Sequence, residues 1–271
     1  MLKTRLLVAL LLIPAFLAAL FYLPPLAWKL LIGVLGLLAA REWATLAGCG
    51  GAGQLAYVAL IALLCGLLDR WGGGGYWIAS AVLVFWLAVV PFWLFRLFAL
   101  RQRSLRLMAG VAVIVPTWLA FVDLRTQSPA LVLFLIGLVW VADSAAYGAG
   151  RAWGQHKLAP GISPGKTWEG VFGALAAATL YAGLWQWLAP DNALGRVSQL
   201  PFVFLLLATL VLVAISVLGD LFESHIKRTA GVKDSGTLIP GHGGMLDRID
   251  SQTSVMPVAL AAIYFFFGYP A

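Results

Sequence analysis

The sequence predicts an all-α, polytopic integral membrane protein of about nine transmembrane helices with a cytoplasmic N-terminus. Three observations predict it. The 271 residues are 62% hydrophobic and only 11% charged, whereas a soluble domain is about a quarter charged. Apolar runs close to the length that crosses hydrocarbon, about 20 residues, recur along the whole chain. The basic residues fall unevenly among the segments between those runs. The net charge of +7 is then the positive-inside bias of a membrane protein, and no nucleic-acid partner is expected.

The runs place helices near 5–22, 26–40, 52–68, 76–95, 107–122, 129–149, 169–189, 199–219 and 252–268. Lys3 and Arg5 before the first run resemble a signal peptide, but the many later spans favour an uncleaved first helix. The second run is short, and Lys29 is expected to reach the interface. Breaks carry turn chemistry: Pro24-Pro25, Gly48 to Gly53, Gly72 to Gly75, and Pro190-Asp191-Asn192. Only two cysteines occur, Cys49 and Cys65, so neither a disulfide nor a cysteine metal site is expected. No repeat or polar linker divides the chain. It reads as one transmembrane domain, 1–271, with helices of 1–128 as scaffold and helices and loops of 129–271 as the catalytic part.

Orientation follows from lysine and arginine. With the N-terminus inside, the inner segments hold Lys3, Arg5, Arg41, Arg96, Arg101, Arg103, Arg106, Arg151, Lys157, Lys166, Lys227, Arg228, Lys233 and Arg248; the outer ones keep Lys29, Arg70, Arg125 and Arg196. That asymmetry favours an odd number of spans. The segment Arg96 to Arg106 has four arginines and no acid, which suits a topology signal resting on anionic headgroups.

Two inner segments carry chemistry. Asp143 closes an apolar run among small residues, and an ionisable group at membrane depth costs about 2.5–3.5 kcal/mol on insertion scales. Function outweighs an interfacial cap as its explanation. The loop Arg151 to Gly170 follows. Its Gly165-Lys166-Thr167 invites a phosphate-loop reading, which fails because Pro160 stands where that motif needs glycine. What remains is a Pro/Gly-rich segment offering Arg151, His156, Lys157 and Lys166 to anions. Glu169 begins the next helix, where capping explains a carboxylate as well as catalysis does.

The second segment runs from Gly219 to Ser251. If the eighth helix continues into it, Asp220, Glu223, Ser224 and Lys227 share one face. Glycines 231, 236, 241, 243 and 244 then punctuate a loop holding Lys233, Asp234 and His242; glycine lets backbone approach a ligand closely. Asp247, Asp250 and Ser251 share the opening turn of the last helix. Acid-bearing helix ends joined by a basic, glycine-rich loop suit a hard divalent metal and phosphate. His242 fits a phosphate donor or loop anchor better than a ligand of an oxygen-loving metal.

These residues resemble a known signature. Ser224-x-Ile226-Lys227-Arg228, Lys233-Asp234-x-Gly236, Ile239-Pro240-x-His242-Gly243-Gly244 and Asp247-Arg248-x-Asp250 look like the phosphatidate cytidylyltransferases, or CDP-diacylglycerol synthases. Asp143, Ala146-Tyr147, Gly150-Arg151, Ile162-Ser163-Pro164 and Lys166-Thr167-Trp168-Glu169-Gly170 are similar too. The resemblance implies transfer of a cytidylyl group from CTP to phosphatidate with Mg²⁺, and room for a second metal ion. It implies Asp220 and Asp247 as metal ligands, with Asp143 nearby as a third ligand or just behind the ligands. Lys227, Arg228, Lys233, Asp234, His242, Arg248 and Asp250 become catalytic candidates. Ser163, Lys166, Thr167, Glu169, Ser224, Gly243 and Gly244 become substrate-binding candidates. Two of the acids are expected in structural ion pairs, Asp234 with Lys233 and Asp250 with Arg248. Membrane lipids are expected partners, and a homodimer is compatible with a membrane enzyme of this size. The implied location is the bacterial inner membrane, with the site facing the cytoplasm.

Two rivals stand beside this reading. A CTP-dependent polyprenol or phytol kinase uses similar phosphate chemistry but needs a base for its alcohol, and the long signature argues against it. A transporter places buried charge mid-span on broken helices, whereas here charge gathers on one face.

Overall fold

The computed structural model describes residues 2–72, 75–96, 100–238 and 243–268, with side chains from residue 10 onward except Leu12. Each expected run has a helical counterpart. In order these are α1 (Leu2–Tyr22), α2 (Pro25–Leu46), α3 (Gly51–Arg70), α4 (Gly75–Val84) leading to α5 (Val90–Phe95), α6 (Arg103–Gln127), α7 (Pro129–Trp153), α8 (Trp168–Leu188), α9 (Phe202–Thr229) and, after the short α10 (Leu246–Ile249), α11 (Gln252–Phe267). α4 and α5 join through one π turn, Phe85–Val89, into a single rod. Among the described residues six rods are long and apolar enough to cross a membrane: Gly51–Arg70, Gly75–Phe95, Arg103–Gln127, Pro129–Trp153, Trp168–Leu188 and Phe202–Thr229. α11 has only 16 residues. α2 carries Lys29, Arg41 and Glu42 within its 22 residues.

Local chemistry sets the ends. Pro25 opens α2 at a position whose N–H needs no partner. Ser128 caps α7, accepting from the N–H groups of Ala130 and Leu131. α9 closes with Gly231 at φ +75. There Gly231 N–H donates to Arg228 O and Val232 N–H to Lys227 O, both at 3.0 Å, a pairing that satisfies the last carbonyls of the helix.

One segment departs from the all-α expectation. The stretch 151–170 is not a loop. It first extends α7 to Trp153, then forms an antiparallel hairpin of β1 (Lys157–Ala159) and β2 (Ser163–Thr167), with Lys157 opposite Thr167. Pro160-Gly161 makes the turn, and no periodicity survives in strands of 3 and 5 residues to reveal them. β2 passes straight into α8 with no phosphate loop between.

The basic segment at 96–106 also differs from a pure headgroup contact. Arg103 donates to the Gly48 carbonyl, and Arg106 Nη1 donates to Leu46 O at 2.8 Å. Leu46 is the last residue of α2 and Gly48 lies two beyond it, where helix acceptors lack internal partners. Arg96 and Arg101 remain exposed.

In lipid the helices gain little from apolar contact alone, so close packing and hydrogen bonds must join them. α7 and α8 meet through small residues: a Cβ on Gly170 would lie 2.8 Å from Ala146 O, and one on Gly173 2.5 Å from the Ala149 Cβ. α2 is strapped to α6 by Trp43 Nε1 to Arg106 O, 2.7 Å, and Trp28 Nε1 to Phe121 O, 3.1 Å. α3 joins them through Tyr57 OH to Leu107 O, 2.9 Å. At the end of α9, Phe222 sits among Trp43, Phe85, Trp86 and Trp93 with centroids 5.8–6.4 Å away. That aromatic seat fixes the charged last turns of α9 against α2, α5 and the π turn.

Candidate active site

The site begins where α9 leaves its apolar run. Gly219 lets α9 cross the start of α11 closely: a Cβ there would lie 3.0 Å from Asp250 O and would overlap the Ser254 hydroxyl. The next ten residues contain no glycine or proline, so the helix continues and stacks Asp220, Glu223, Ser224 and Lys227 along one side, as expected.

Two bonded groups result. In the first, Lys166 Nζ of β2 lies 2.5 Å from Asp220 Oδ2, both side chains about three-quarters buried. Ser224 Oγ donates to Asp220 Oδ1 at 3.2 Å. Asp143, exposed on α7, is within electrostatic reach of both Asp220 and Lys166. The hairpin therefore brings a lysine to carboxylates from two different helices.

In the second, the Lys227 ammonium is buried between Glu223 Oε1 at 3.1 Å and Asp247 Oδ1 at 2.7 Å. Asp247 Oδ2 accepts from Ser235 N and Gly244 N at 2.9 Å each and lies 3.0 Å from Ser235 Oγ. Burial opposes ionisation of Asp247, but the Lys227 bond and the two backbone donors outweigh it and hold its carboxyl below the ordinary range. Asp250 behaves oppositely. Burial first, then the charges of Asp220 and Glu223, push it well above that range.

The expected ion pairs are not those that form. Among the described residues Lys233 does not pair with Asp234, nor Arg248 with Asp250; the pairs on this face are Lys166–Asp220, Lys227–Glu223, Lys227–Asp247 and His156–Glu169. Lys233, Asp234 and Arg248 are exposed. Side chains two apart on a helical turn point in different directions, which separates Arg248 from Asp250.

Several substrate-binding candidates have local partners. Thr167 is buried and caps α8, accepting from Gly170 N at 3.2 Å. Glu169 takes His156 Nδ1 at 2.6 Å and the His156 N–H, closing the base of the hairpin. Arg228 folds back onto Val232 O at 3.0 Å. Ser163 lies at the start of β2, opposite Ala159. Gly243 has φ +83, and a Cβ there would meet Asp247 Oδ2 at 2.7 Å. Gly244 is packed against Ser235. His242 lies outside the described residues.

One residue of this network has no counterpart among the expected ones. Glu42 of α2 accepts from Ser235 Oγ and Leu246 N at 2.9 Å and from Met245 N at 2.8 Å. The signal available in the sequence is an acid directly after an apolar run, beside Arg41.

Which groups suit a metal is a question of donor chemistry. Among the described residues no three His, Cys, Asp or Glu side chains already close around one point. Mg²⁺ does not require that, since it takes one or two protein carboxylates and fills its octahedron with substrate phosphate and water. Asp220, with Asp143 in reach, offers such oxygens. Asp247 offers its own only by releasing Lys227 or the loop donors.

The comparisons with known proteins agree with this chemistry. Residues 3–266 match the model of the cytidylyltransferase family. The phosphatidate cytidylyltransferase of Pseudomonas aeruginosa is 40% identical over 276 aligned residues, covering 97% of each chain. That of Haemophilus influenzae is 38% identical over 301, covering 98% of this chain and 99% of its own. That of Bacillus subtilis is 44% identical over 140 residues, 51% of this chain and 49% of its own.

Proposed function

Because the chain belongs to the cytidylyltransferase family, we propose that it transfers the cytidylyl group of CTP to phosphatidate, giving CDP-diacylglycerol and pyrophosphate. One observation carries the reading. Lys166–Asp220 and Lys227–Asp247 meet at the end of α9, in a chain that runs the length of two relatives named for this activity.

The chemistry follows from charge. An oxygen of the lipid phosphate attacks the α-phosphorus of CTP. The new P–O bond forms as the bond to the bridging oxygen of the β-phosphate breaks, and that electron pair leaves with pyrophosphate. The nucleophile is already anionic at neutral pH, so no strong base is required. The difficulty is to bring two polyanions together and to stabilise the leaving charge. Lys166, partly open to solvent, exchanges Asp220 for a phosphate oxygen. Lys227, held by two carboxylates, keeps a fixed positive charge beneath the site. Exposed Lys233 and Arg248 face incoming phosphates.

Asp220 and Asp143 are the oxygen donors assigned to Mg²⁺, and Asp250, in reach of both, is the donor a second ion would share. Asp247 joins them if substrate binding frees it from Lys227. A metal held there would supply Lewis-acid polarisation of phosphate oxygens.

The same reading gives nine spans and an inner-membrane protein with its N-terminus and active site cytoplasmic, and it is compatible with a homodimer. The lysine and arginine asymmetry supports the orientation, and CTP is available on that side.

Labelled CTP tests the reaction. With phosphatidate and Mg²⁺, label on the α-phosphate should enter chloroform-soluble lipid and label on the γ-phosphate should leave as pyrophosphate. Entry of γ-label alone would make the protein a lipid kinase instead.

A further inference from the structure

We propose that Glu42 is a positioning residue for this reaction: it holds Ser235 and the start of α10 so that Asp247 stays on Lys227. The inference rests on the transfer reaction proposed above.

Glu42 and its three donors are far apart in sequence, yet both its oxygens are occupied. Oε1 accepts from Met245 N at 2.8 Å; Oε2 accepts from Leu246 N and Ser235 Oγ at 2.9 Å each. Bonds to an ionised acceptor are about twice as strong as neutral ones. The two backbone donors open a helical turn, where N–H groups otherwise lack partners.

Two glycines of the loop are shaped by this carboxylate. A Cβ on Gly236 would lie 2.8 Å from Glu42 Oε1, and one on Gly244 would overlap both Glu42 and Ser235. Glycine at these positions therefore makes room for Glu42 as well as for any ligand.

Ser235 couples Glu42 to the charged centre. Its hydroxyl shares one proton between Glu42 Oε2 and Asp247 Oδ2, at 2.9 and 3.0 Å, while its N–H binds Asp247 alone. Asp247 in turn holds Lys227 at 2.7 Å. The chain of contacts runs Glu42, Ser235, Asp247, Lys227. Its first link is anchored, because the neighbouring Trp43 and Leu46 bind Arg106 of α6.

Glu42→Gln preserves size but leaves one acceptor oxygen, and turns an amide NH₂ toward a donor. The test uses the full-length protein in detergent, assayed for lipid-soluble label from α-labelled CTP. Glu42→Gln should lower kcat by about 10- to 100-fold, the scale of a small displacement of an acting group, with the KM for CTP changed far less. Ser235→Ala should lose less. The double variant should lose no more than Glu42→Gln, because both act through one chain. Trp28→Phe is the control: it removes the α2–α6 strap to the Phe121 carbonyl, at the opposite end of α2 from Glu42 and the loop.

The proposal is overturned if Glu42→Gln keeps wild-type kcat, if the two losses simply add, or if Trp28→Phe loses the same activity at the same melting temperature. Should Glu42→Gln fail to accumulate, Ser235→Ala decides, and wild-type kcat there overturns the proposal. An inactive wild type would instead refute the transfer reaction itself.

Discussion

Lys166 and Asp220 lie 2.5 Å apart, nitrogen to oxygen, and join the hairpin to the last turns of α9. Each side chain keeps about a quarter of its surface open, 23% and 27%. The pair is closed enough to orient both groups and open enough to part when phosphate arrives.

The two partners should therefore fail differently. Lys166→Ala and Asp220→Asn should each cost about 100-fold or more in kcat/KM, the scale for losing one transition-state contact. Asp220→Asn should also raise the Mg²⁺ concentration for half-maximal activity, while Lys166→Ala leaves it unchanged. Magnesium titrations of both variants check this, and near-wild-type activity in both removes the pair from the site.

Lys227 should matter to stability as well as to turnover. Lys227→Ala strands Glu223 and Asp247 as buried carboxylates without a cation, and loss of one member of such a group costs about 3–5 kcal/mol. Glu223→Gln should cost less, because Lys227 keeps Asp247. Unfolding of the two variants in the same detergent orders them.

Asp247 and Asp250 should respond to pH with opposite sign. The folded Asp247 carboxyl is depressed despite burial, by Lys227, Gly244 and Ser235. Its stabilising effect is full above the unfolded value, about 3.9, and disappears as pH falls through the folded one. Asp250 is raised by burial, then by Asp220 and Glu223. It penalises the fold increasingly as pH climbs from about 4 toward its folded value. With EDTA present, Asp250→Asn should melt higher than wild type at neutral pH and approach it in acid. Asp247→Asn should melt lower at neutral pH and likewise approach wild type in acid. Melting temperatures across pH that show the same sign for both would contradict the assignment.

Gly170 should not tolerate a methyl group. A Cβ there meets the Ala146 carbonyl at 2.8 Å, a backbone atom that cannot swing aside. Gly170→Ala should cost about 1–3 kcal/mol by overpacking and carry the hairpin away from α7. Gly161→Ala, whose Cβ meets nothing within 4 Å, should melt like wild type.

The helices were legible because lipid imposes a length and an apolar composition that survive in any sequence reading. The continuation of α9 was legible too, since nothing between Asp220 and Thr229 breaks a helix. The hairpin was not: strands of 3 and 5 residues are held by their connection to α7 and α8 rather than by a pattern of their own. The ion pairs do not follow sequence adjacency. Lys233 and Asp234 are adjacent yet exposed, whereas Lys166 found Asp220 on a different element. Glu42 was invisible for the same reason. Its three donors lie about 190–200 residues further along, at 235, 245 and 246, and no local rule of helix periodicity reaches that far.

α9 is one unbroken helix from Phe202 to Thr229, 28 residues, a rod of about 42 Å. The hydrocarbon layer is about 30 Å thick. A rod longer than its layer leans or protrudes, and Asp220, Glu223, Ser224 and Lys227 lie in the last ten residues of this one. A lean of that rod displaces the four as a rigid set, preserving their spacing while changing their height above the headgroups. In a bilayer, thickness and lean together would set how far that charged end stands from a lipid phosphate.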